Sequence, residues 1–380
     1  MNQLMSNYLL RRNSAILFFL IVLCFSSAAQ NTKPLFRDSV DNAFDVSKWL
    51  IQKEGFLPIP SLITEPSVGY GVGFAAVFFH SSFLKRKGPP NMSGLAGAYT
   101  QNGTWAAAVF HRGYWKEDRY RYTGAVAKTF INIDFYGSGN KGVADTPALL
   151  NMDSWIILQQ FYSRLGNSNF FIGGRYIYYP TKNKFSLPID IPEFQELEFE
   201  SNISEATLML NYDSRNNVFT PTKGMYIEAT GTYSDTWFGG AAQYGRLGFT
   251  FLGFSALDNK FSLGTRLDQR YAIADLPFYL RPMVDLRGVP LMKYQNKMVH
   301  TLEMELNFNI YKRYHLLAFT GMGNAFSDFS SISEGKSVTS IGTGFRYEIA
   351  RLFGARMGMD FAWSKDDFAF YIVFGHIWMK

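Results

Sequence analysis

From Phe56 onward, apolar and polar residues alternate one for one, and the polar set carries charges of both signs. In 298–310, Met298, His300, Leu302, Met304, Leu306, Phe308 and Ile310 fall on one side. Thr301, Glu303, Glu305, Asn307 and Asn309 fall on the other. Phe261, Leu263 and Leu267 oppose Arg266, Asp268 and Arg270, and Met357, Met359, Phe361 and Trp363 oppose Arg356, Gly358 and Asp360. Side chains of a strand alternate between its faces, so each segment has one apolar and one ionic face. A soluble sandwich also alternates, but it rarely turns so many charges onto an inner face. A charge facing lipid near the bilayer midplane costs roughly 2–4 kcal/mol. The pattern therefore predicts an all-β chain, a transmembrane antiparallel β-barrel with apolar residues toward lipid and ionic residues toward the lumen.

Sixteen strands are predicted: 56–63, 69–79, 92–101, 104–115, 119–131, 153–165, 168–180, 203–214, 224–235, 241–255, 259–272, 298–310, 314–325, 337–348, 354–363 and 368–378. Single-chain bacterial barrels have an even number. Long connections follow odd-numbered strands (132–152, 181–202, 273–297 and 326–336), and short ones such as Gly166-Asn167 and Asp258 follow even-numbered strands. That alternation suits long outer loops, short periplasmic turns and both termini inside. The first turn, His80 to Asn91, is the exception, being long and basic at Lys85, Arg86 and Lys87.

Composition agrees: 17% aromatic residues, 33 glycines and only 18% charged residues fit a membrane barrel better than a soluble domain of this length. No stretch after residue 30 is long and apolar enough for a transmembrane helix. Residues 1–30 read as a signal peptide, with Arg11 and Arg12 before an apolar run from Ile16 to Phe25 and small residues at Ser27-Ala28-Ala29. Cys24, the single cysteine, lies inside it, and bulky Val22-Leu23 before it disfavour a lipoprotein site. The remaining chain has no thiol for disulfides or thiolate metal sites. Residues 31–55 hold an amphipathic segment, Asp38 to Lys53, with Val40, Phe44, Trp49 and Leu50 as apolar positions. It reads as a short helical segment resting in the periplasm at the barrel mouth or plugging the lumen. Residues 56–380 form the barrel.

The net charge of +6 falls to about +4 without Arg11 and Arg12, too diffuse to point to nucleic acid. His80, His111, His300, His315 and His376 are scattered, with no serine-hydrolase signature beside them and no metal-ligand spacing. No catalytic, metal or cofactor residue is expected, and the chain reads as a non-enzyme.

Four motifs carry a family resemblance. Leu286-Arg287-Gly288-Val289 resembles a V-R-G-F loop between the eleventh and twelfth strands. Asp213-Ser214-Arg215-Asn216-Asn217 with Pro221-Thr222-Lys223-Gly224 resembles a D-x-R-x-N and P-T-K-G turn between the eighth and ninth. Glu305-Leu306-Asn307-Phe308 resembles an E-L-R-F strand. Phe374-Gly375-His376-Ile377-Trp378 resembles a terminal glycine-plus-aromatic signal. Together they resemble the BamA/TamA-type outer-membrane assembly superfamily, the bacterial surface antigens, across nearly all of 56–380. The chain departs from that pattern at Val289-Pro290, at Met379 and Lys380, and at Gly321, where relatives have an aspartate facing the loop arginine. Residues 31–55 are too few for the family's periplasmic POTRA repeats, so the sequence reads as a barrel-only member.

The resemblance implies a loop folded into the lumen with Arg287 on Glu305 and Glu303 nearby, and Gly288 turning the backbone. Without the resemblance, Arg287 is equally an exposed loop residue. An arginine suits the clamp because its charge is permanent and its fork grips carboxylates. Pro58 and Pro60, two apart, remove amide hydrogens from one edge of the first strand. Either they only start the strand, or they weaken a seam against the last strand at Phe374, Gly375 and Trp378. The implied location is the outer membrane of a Gram-negative bacterium, among its lipids. The implied function is insertion, assembly or translocation of client outer-membrane proteins, with a separate periplasmic partner in place of the missing repeats. The alternative is a passive channel or structural barrel.

Overall fold

The computed structural model describes residues 34–380 except 53–55, 66, 81–88, 137–147, 187–195, 275, 366 and 380. The signal peptide and the basic Lys85-Arg86-Lys87 lie outside the described residues. Sixteen antiparallel strands form one sheet in chain order. The first eight are Phe56–Ile63 (β1), Gly71–Phe79 (β2), Met92–Thr100 (β3), Trp105–Trp115 (β4), Tyr120–Phe135 (β5), Ala148–Arg164 (β6), Phe170–Ser186 (β7) and Glu196–Asp213 (β8). Then follow Gly224–Ser234 (β9), Tyr244–Ala256 (β10), Phe261–Ala272 (β11), Met298–Tyr311 (β12), Tyr314–Phe326 (β13), Lys336–Ala350 (β14), Ala355–Ser364 (β15) and Phe368–Phe374 (β16). The sheet curls into a nearly closed barrel. Along β12, Leu302, Met304 and Leu306 face outward, while Thr301, Glu303 and Glu305 are buried inside, as the alternation requires.

Two expectations need correction. Strands β5 to β8 run several residues further than expected: Lys182 pairs with Glu200 at 3.0 Å and Lys184 with Glu198 at 3.7 Å between β7 and β8, and Ile133, Leu150 and Phe185 of β5 to β7 pack with Phe278 and Met292 of the 273–297 connection. The last strand, expected over 368–378, stops at Phe374. Gly375 takes φ +76°, a left-handed value that ends the ladder, and the chain turns inward so that Trp378 is buried.

The N-terminal segment also differs from a simple amphipathic helix. Among its described residues only Ser47–Gln52 (α1) is α-helical, after a 3-10 turn at Pro34–Phe36 and a bridge between Arg37 and Phe44. Val40 and Phe44 are exposed, and Val46 and Leu50 are the buried apolar residues. The reason is ionic. Asp38, Asp41 and Asp45 all turn onto Arg313, the last two at 2.7 and 2.6 Å, and Asp38 also meets Arg351. Those arginines sit in the β12–β13 and β14–β15 turns, so the segment lies across the turn end of the barrel. There Val46 and Leu50 pack with Leu57, Val77, Phe79, Phe219 and Phe353 into an apolar cluster.

The Arg351 hydrogen bond, then Arg313, holds the Asp38 carboxyl well below its free value of 3.8, and the Arg313 hydrogen bond lowers Asp41. A carboxylate with a depressed pKa stabilises docking above its free pKa and loses that contribution as pH falls through the lower, docked value. Hydrogen exchange over 36–52 is therefore expected to stay slow from pH 7 to pH 5 and to rise only in strong acid. Arg313→Ala should raise it at pH 7 by about tenfold or more, since Asp41 and Asp45 lose their partner and Asp38 keeps only Arg351; equal exchange in both proteins would refute the ionic account.

Candidate functional site

The 273–297 connection between β11 and β12 folds into the lumen, and apolar insertion fixes it there. Val284, Leu286 and Val289 are buried with Val299, Ala325 and Val338 of the wall. Gly321 and Gly323 of β13 leave the room: a Cβ at Gly321 would stand 2.7 Å from Leu286 Cδ2, and one at Gly323 would collide with Val284. Gly288 has φ +79°, and a Cβ there would lie 3.0 Å from the Ala362 backbone, so only glycine lets the loop tip approach β15 this closely.

That seating puts Arg287, 5% exposed, among three carboxylates. Its Nε donates to Glu303 Oε1 at 2.7 Å, and one Nη donates to Glu305 Oε2 at 2.8 Å and Asp360 Oδ2 at 2.9 Å. The guanidinium lies 3.4 Å from the centre of the Phe319 ring, a cation–π contact in a desolvated site. Glu303 and Glu305 are two apart on one strand and so share its inner face. Asp360 comes from β15 and is gripped from behind by both Nη atoms of Arg346, at 2.6 and 2.9 Å. Sequence reasoning named Glu303 and Glu305 and missed Asp360, Arg346 and Phe319. Leu286 occupies the space where the aspartate of the family pattern would stand, and Asp360 supplies the third carboxylate from another strand.

The C-terminal tail uses the same acceptors. Trp378 Nε1 donates to Glu303 Oε2 at 2.6 Å, and His376 Nε2 lies 3.2 Å from Glu305 Oε1. Phe374, the end of β16, packs edge-on against Phe219 at 5.9 Å. The 214–223 turn reaches this point across the turn end: the Phe219 carbonyl accepts from His376 N at 2.6 Å, and Asn217 Nδ2 donates to the Phe353 carbonyl at 2.9 Å. Asp213 holds Arg215 at 2.8 Å and Arg121 at 2.8 Å, fixing the start of that turn. Pro221 is buried within it, Lys223 is exposed, and Gly224 leads into β9 with φ +94°. The turn motif therefore does not join the Arg287 cluster directly; it meets it through the tail.

Between β1 and β16 no ladder forms. β1 pairs with β2 without a break from Phe56↔Phe78 to Ile63↔Gly71, so the missing amide hydrogens of Pro58 and Pro60 face the β16 side. One side chain spans the gap: Thr64 Oγ1 accepts from Phe370 N at 2.7 Å and donates to the Phe370 carbonyl. The loop straps the same seam. Glu65 Oε1 accepts from Leu291 N at 3.0 Å and Ser67 Oγ donates to the Leu291 carbonyl at 2.8 Å, on the β1 side. On the other side, Gly288 N donates to Tyr371 Oη at 2.9 Å, Ser364 Oγ donates to the Gly288 carbonyl at 2.7 Å, and Lys293 pairs with Asp367 at 2.7 Å.

His80 and His111 converge on Ser93, at 2.9 and 2.8 Å, on the lipid-facing side of β2 to β4. Register explains this, since Ser93 pairs with Phe78 and His111. No carboxylate orients either ring among the described residues, so the trio lacks the orienting group that usually accompanies a nucleophile and its base. Among the described residues no cluster with metal-ligating geometry occurs.

A strapped, sixteen-stranded barrel with a lumenal arginine loop defines a class of outer-membrane-type barrel, and the comparisons give its family. The Omp85 superfamily domain matches residues 93–281. BamA from Haemophilus ducreyi lacking POTRA domains 1–3 superposes with a TM-score of 0.56 at 13% identity, covering 84% of this chain and 70% of that one. CdiB from Acinetobacter baumannii (TM-score 0.54, 10% identity) and CdiB from Escherichia coli (0.56, 9%) each cover 84% of this chain. This chain spans 59% and 62% of those two. No curated protein matches by sequence. Residues 93–281 carry the Omp85 superfamily domain, and the chain shares its barrel fold with the BamA structure.

Removing Arg287 leaves buried carboxylates without their counter-charge, a change that costs on the order of 3–5 kcal/mol. Arg287→Ala should lower the temperature at which the folded band is lost on unheated gels, and Arg287→Lys should recover only part, since one ammonium cannot reproduce the fork and the ring contact. Gly321→Asp is expected to destabilise by expelling Leu286; a rise in that temperature would contradict the packing account.

Proposed function

We propose that this chain sits in the outer membrane and assists insertion, assembly or translocation of outer-membrane proteins through the β1–β16 seam. The observation that carries this reading is the missing ladder between two adjacent edge strands. An exposed strand edge binds an extended segment by main-chain hydrogen bonds, which give affinity without demanding one sequence. The β1 edge has donors missing at Pro58 and Pro60, so it is a weak closing partner for β16 while its remaining groups stay available. The loop is the strap: anchored by Arg287 on Glu303, Glu305 and Asp360, it ties Glu65 and Ser67 to Tyr371, Ser364 and Asp367 across the seam. In this reading, residues 1–30 are an export signal, and residues 31–55 lie on the periplasmic side, where they and the turns offer a surface to a separate soluble partner. The chemistry requires no cofactor and no covalent step.

The test is the folding of an unfolded client barrel into liposomes, with and without the protein. The doubly substituted Thr64→Cys, Phe370→Cys protein places a thiol pair where one side chain already spans the seam. Wild type and the reduced pair should accelerate client folding, and the oxidised pair should not. Acceleration that survives oxidation would sink the seam mechanism, and no acceleration by folded wild type would remove the insertion reading.

A further inference from the structure

Strands β5 to β8 are the four longest of the sheet, and their outer ends carry charge on the face turned away from the lumen. Register places Lys128 beside Trp155, Asp153 beside Lys182, and Lys182 beside Glu200, while the next rung holds Asn151, Lys184 and Glu198. These positions share the parity of Val126, Trp155, Tyr176 and Leu208, which are exposed on the outside of the barrel. The other face of the same ends is apolar. Ile133, Leu150 and Phe185 pack inside with Phe278 and Met292 of the 273–297 connection, so the wall is backed from the lumen and presents its charged side outward.

Strand geometry sets the height of these charges. With a rise of about 3.3 Å and a tilt of about 40°, each residue climbs about 2.5 Å along the barrel axis. Measured from Tyr120, Phe170 and Tyr212 at the turn end, Lys128 stands about 20 Å up, and Lys182 and Glu200 about 30 Å. The apolar band of such a barrel is about 25 Å tall, so these side chains straddle its outer edge, where lipid headgroups begin. Trp155 marks that edge: Lys128 Nζ lies 5.6 Å from its ring centre and also hydrogen-bonds Asp153. Trp237, 78% exposed, stands on a 3-10 turn held against the same face, where Ser204 Oγ donates to the Phe238 carbonyl at 2.8 Å. Above lies a concavity of about 760 Å³ lined by Asn151, Asp153, Lys182, Lys184, Glu198 and Glu200 among others. Lys182 and Lys184 are about 7 Å apart along β7, and Lys128 is two strands away, at least about 10 Å. One phosphate cannot span them. Asp153, Glu198 and Glu200 alternate with the lysines and repel phosphate unless a divalent cation bridges the two. Exposed pairs such as Lys182 with Glu200 stabilise little and exchange partners readily.

We propose that the outward face of β5–β8 binds an outer-leaflet lipid whose headgroup carries more than one phosphate. Lys128, Lys182 and Lys184 meet the phosphates, and divalent cations bridge them to Asp153, Glu198 and Glu200. This rests on the reading that the chain spans the outer membrane, and not on client assembly or the seam. The probe is diphosphoryl lipid A. Folded protein in phosphatidylcholine nanodiscs holding equal amounts of lipid A and phosphatidylglycerol, with magnesium, is expected to retain lipid A several-fold over phosphatidylglycerol when native mass spectrometry counts the bound lipids. Lys128→Gln, Lys182→Gln and Lys184→Gln combined should bring that ratio near unity, with mobility on unheated gels checking that the variant is folded. In wild type, EDTA or replacement by monophosphoryl lipid A should lower it. Equal retention of both lipids by wild type, a ratio unmoved by the triple substitution, or one indifferent to magnesium would each overturn the proposal while the barrel remains in its bilayer. A chain that enters no bilayer would overturn the outer-membrane reading, and this proposal with it.

Discussion

A backbone edge inside a bilayer has no water to satisfy its N–H and C=O groups, and β1 and β16 both present one. Much of the molecule answers that constraint. Pro58 and Pro60 remove two donors that would otherwise be unpaired. Thr64 lends a hydroxyl to both backbone groups of Phe370. The lumenal loop bonds to residues on either side of the gap, and the N-terminal segment crosses beneath it, with Val46 N donating to the Ile349 carbonyl at 2.9 Å and Trp49 Nε1 to the Phe56 carbonyl at 2.9 Å. The seam is held by side chains and loops, whose bonds can be exchanged one at a time, rather than by a cooperative ladder.

The loop can act as a strap because its own anchor is strong. A guanidinium with three carboxylates and an aromatic face in a site shielded from water cannot leave without stranding charge. Seating it required two glycines on β13 to admit Leu286 and Val284, so apolar insertion and ion pairing position each other. The loop's first turn reaches across the lumen as well, where Phe278 packs on Phe135 and Phe185 and Tyr279 Oη donates to Ser201 Oγ at 2.8 Å.

The strand count and facing were legible because a membrane barrel writes its pattern with period two, and a charge on the wrong face is costly. What was not legible has physical causes. The outer ends of β7 and β8 carry Lys182, Lys184, Glu198 and Glu200, paired across strands, and those of β5 to β7 meet residues of the 273–297 connection, far along the chain. Asp360 lies 73 residues from Arg287 and reaches it only through barrel curvature, which no local spacing encodes. In the N-terminal segment, Arg313 draws Asp38, Asp41 and Asp45 inward, which leaves the expected apolar Val40 and Phe44 exposed while Leu50 is buried as expected. The tail was read as strand to residue 378, while the single backbone setting at Gly375 redirects it after Phe374.

That redirected tail bears on which strand would move in the proposed opening of the seam. β16 is fixed by its ladder to β15, by Tyr371 on the loop tip, and by His376 and Trp378 on the two glutamates that hold Arg287. β1 is fixed by β2, by Thr64, and by loop contacts at Glu65 and Ser67. Drawing β16 away would therefore disturb the buried ion cluster itself. Drawing β1 away breaks neutral or singly charged hydrogen bonds near the barrel's outer rim and leaves the cluster intact. Under the proposed opening of the seam, this energetic asymmetry favours β1, with its proline-depleted edge, as the strand to move and β16 as the one to stay.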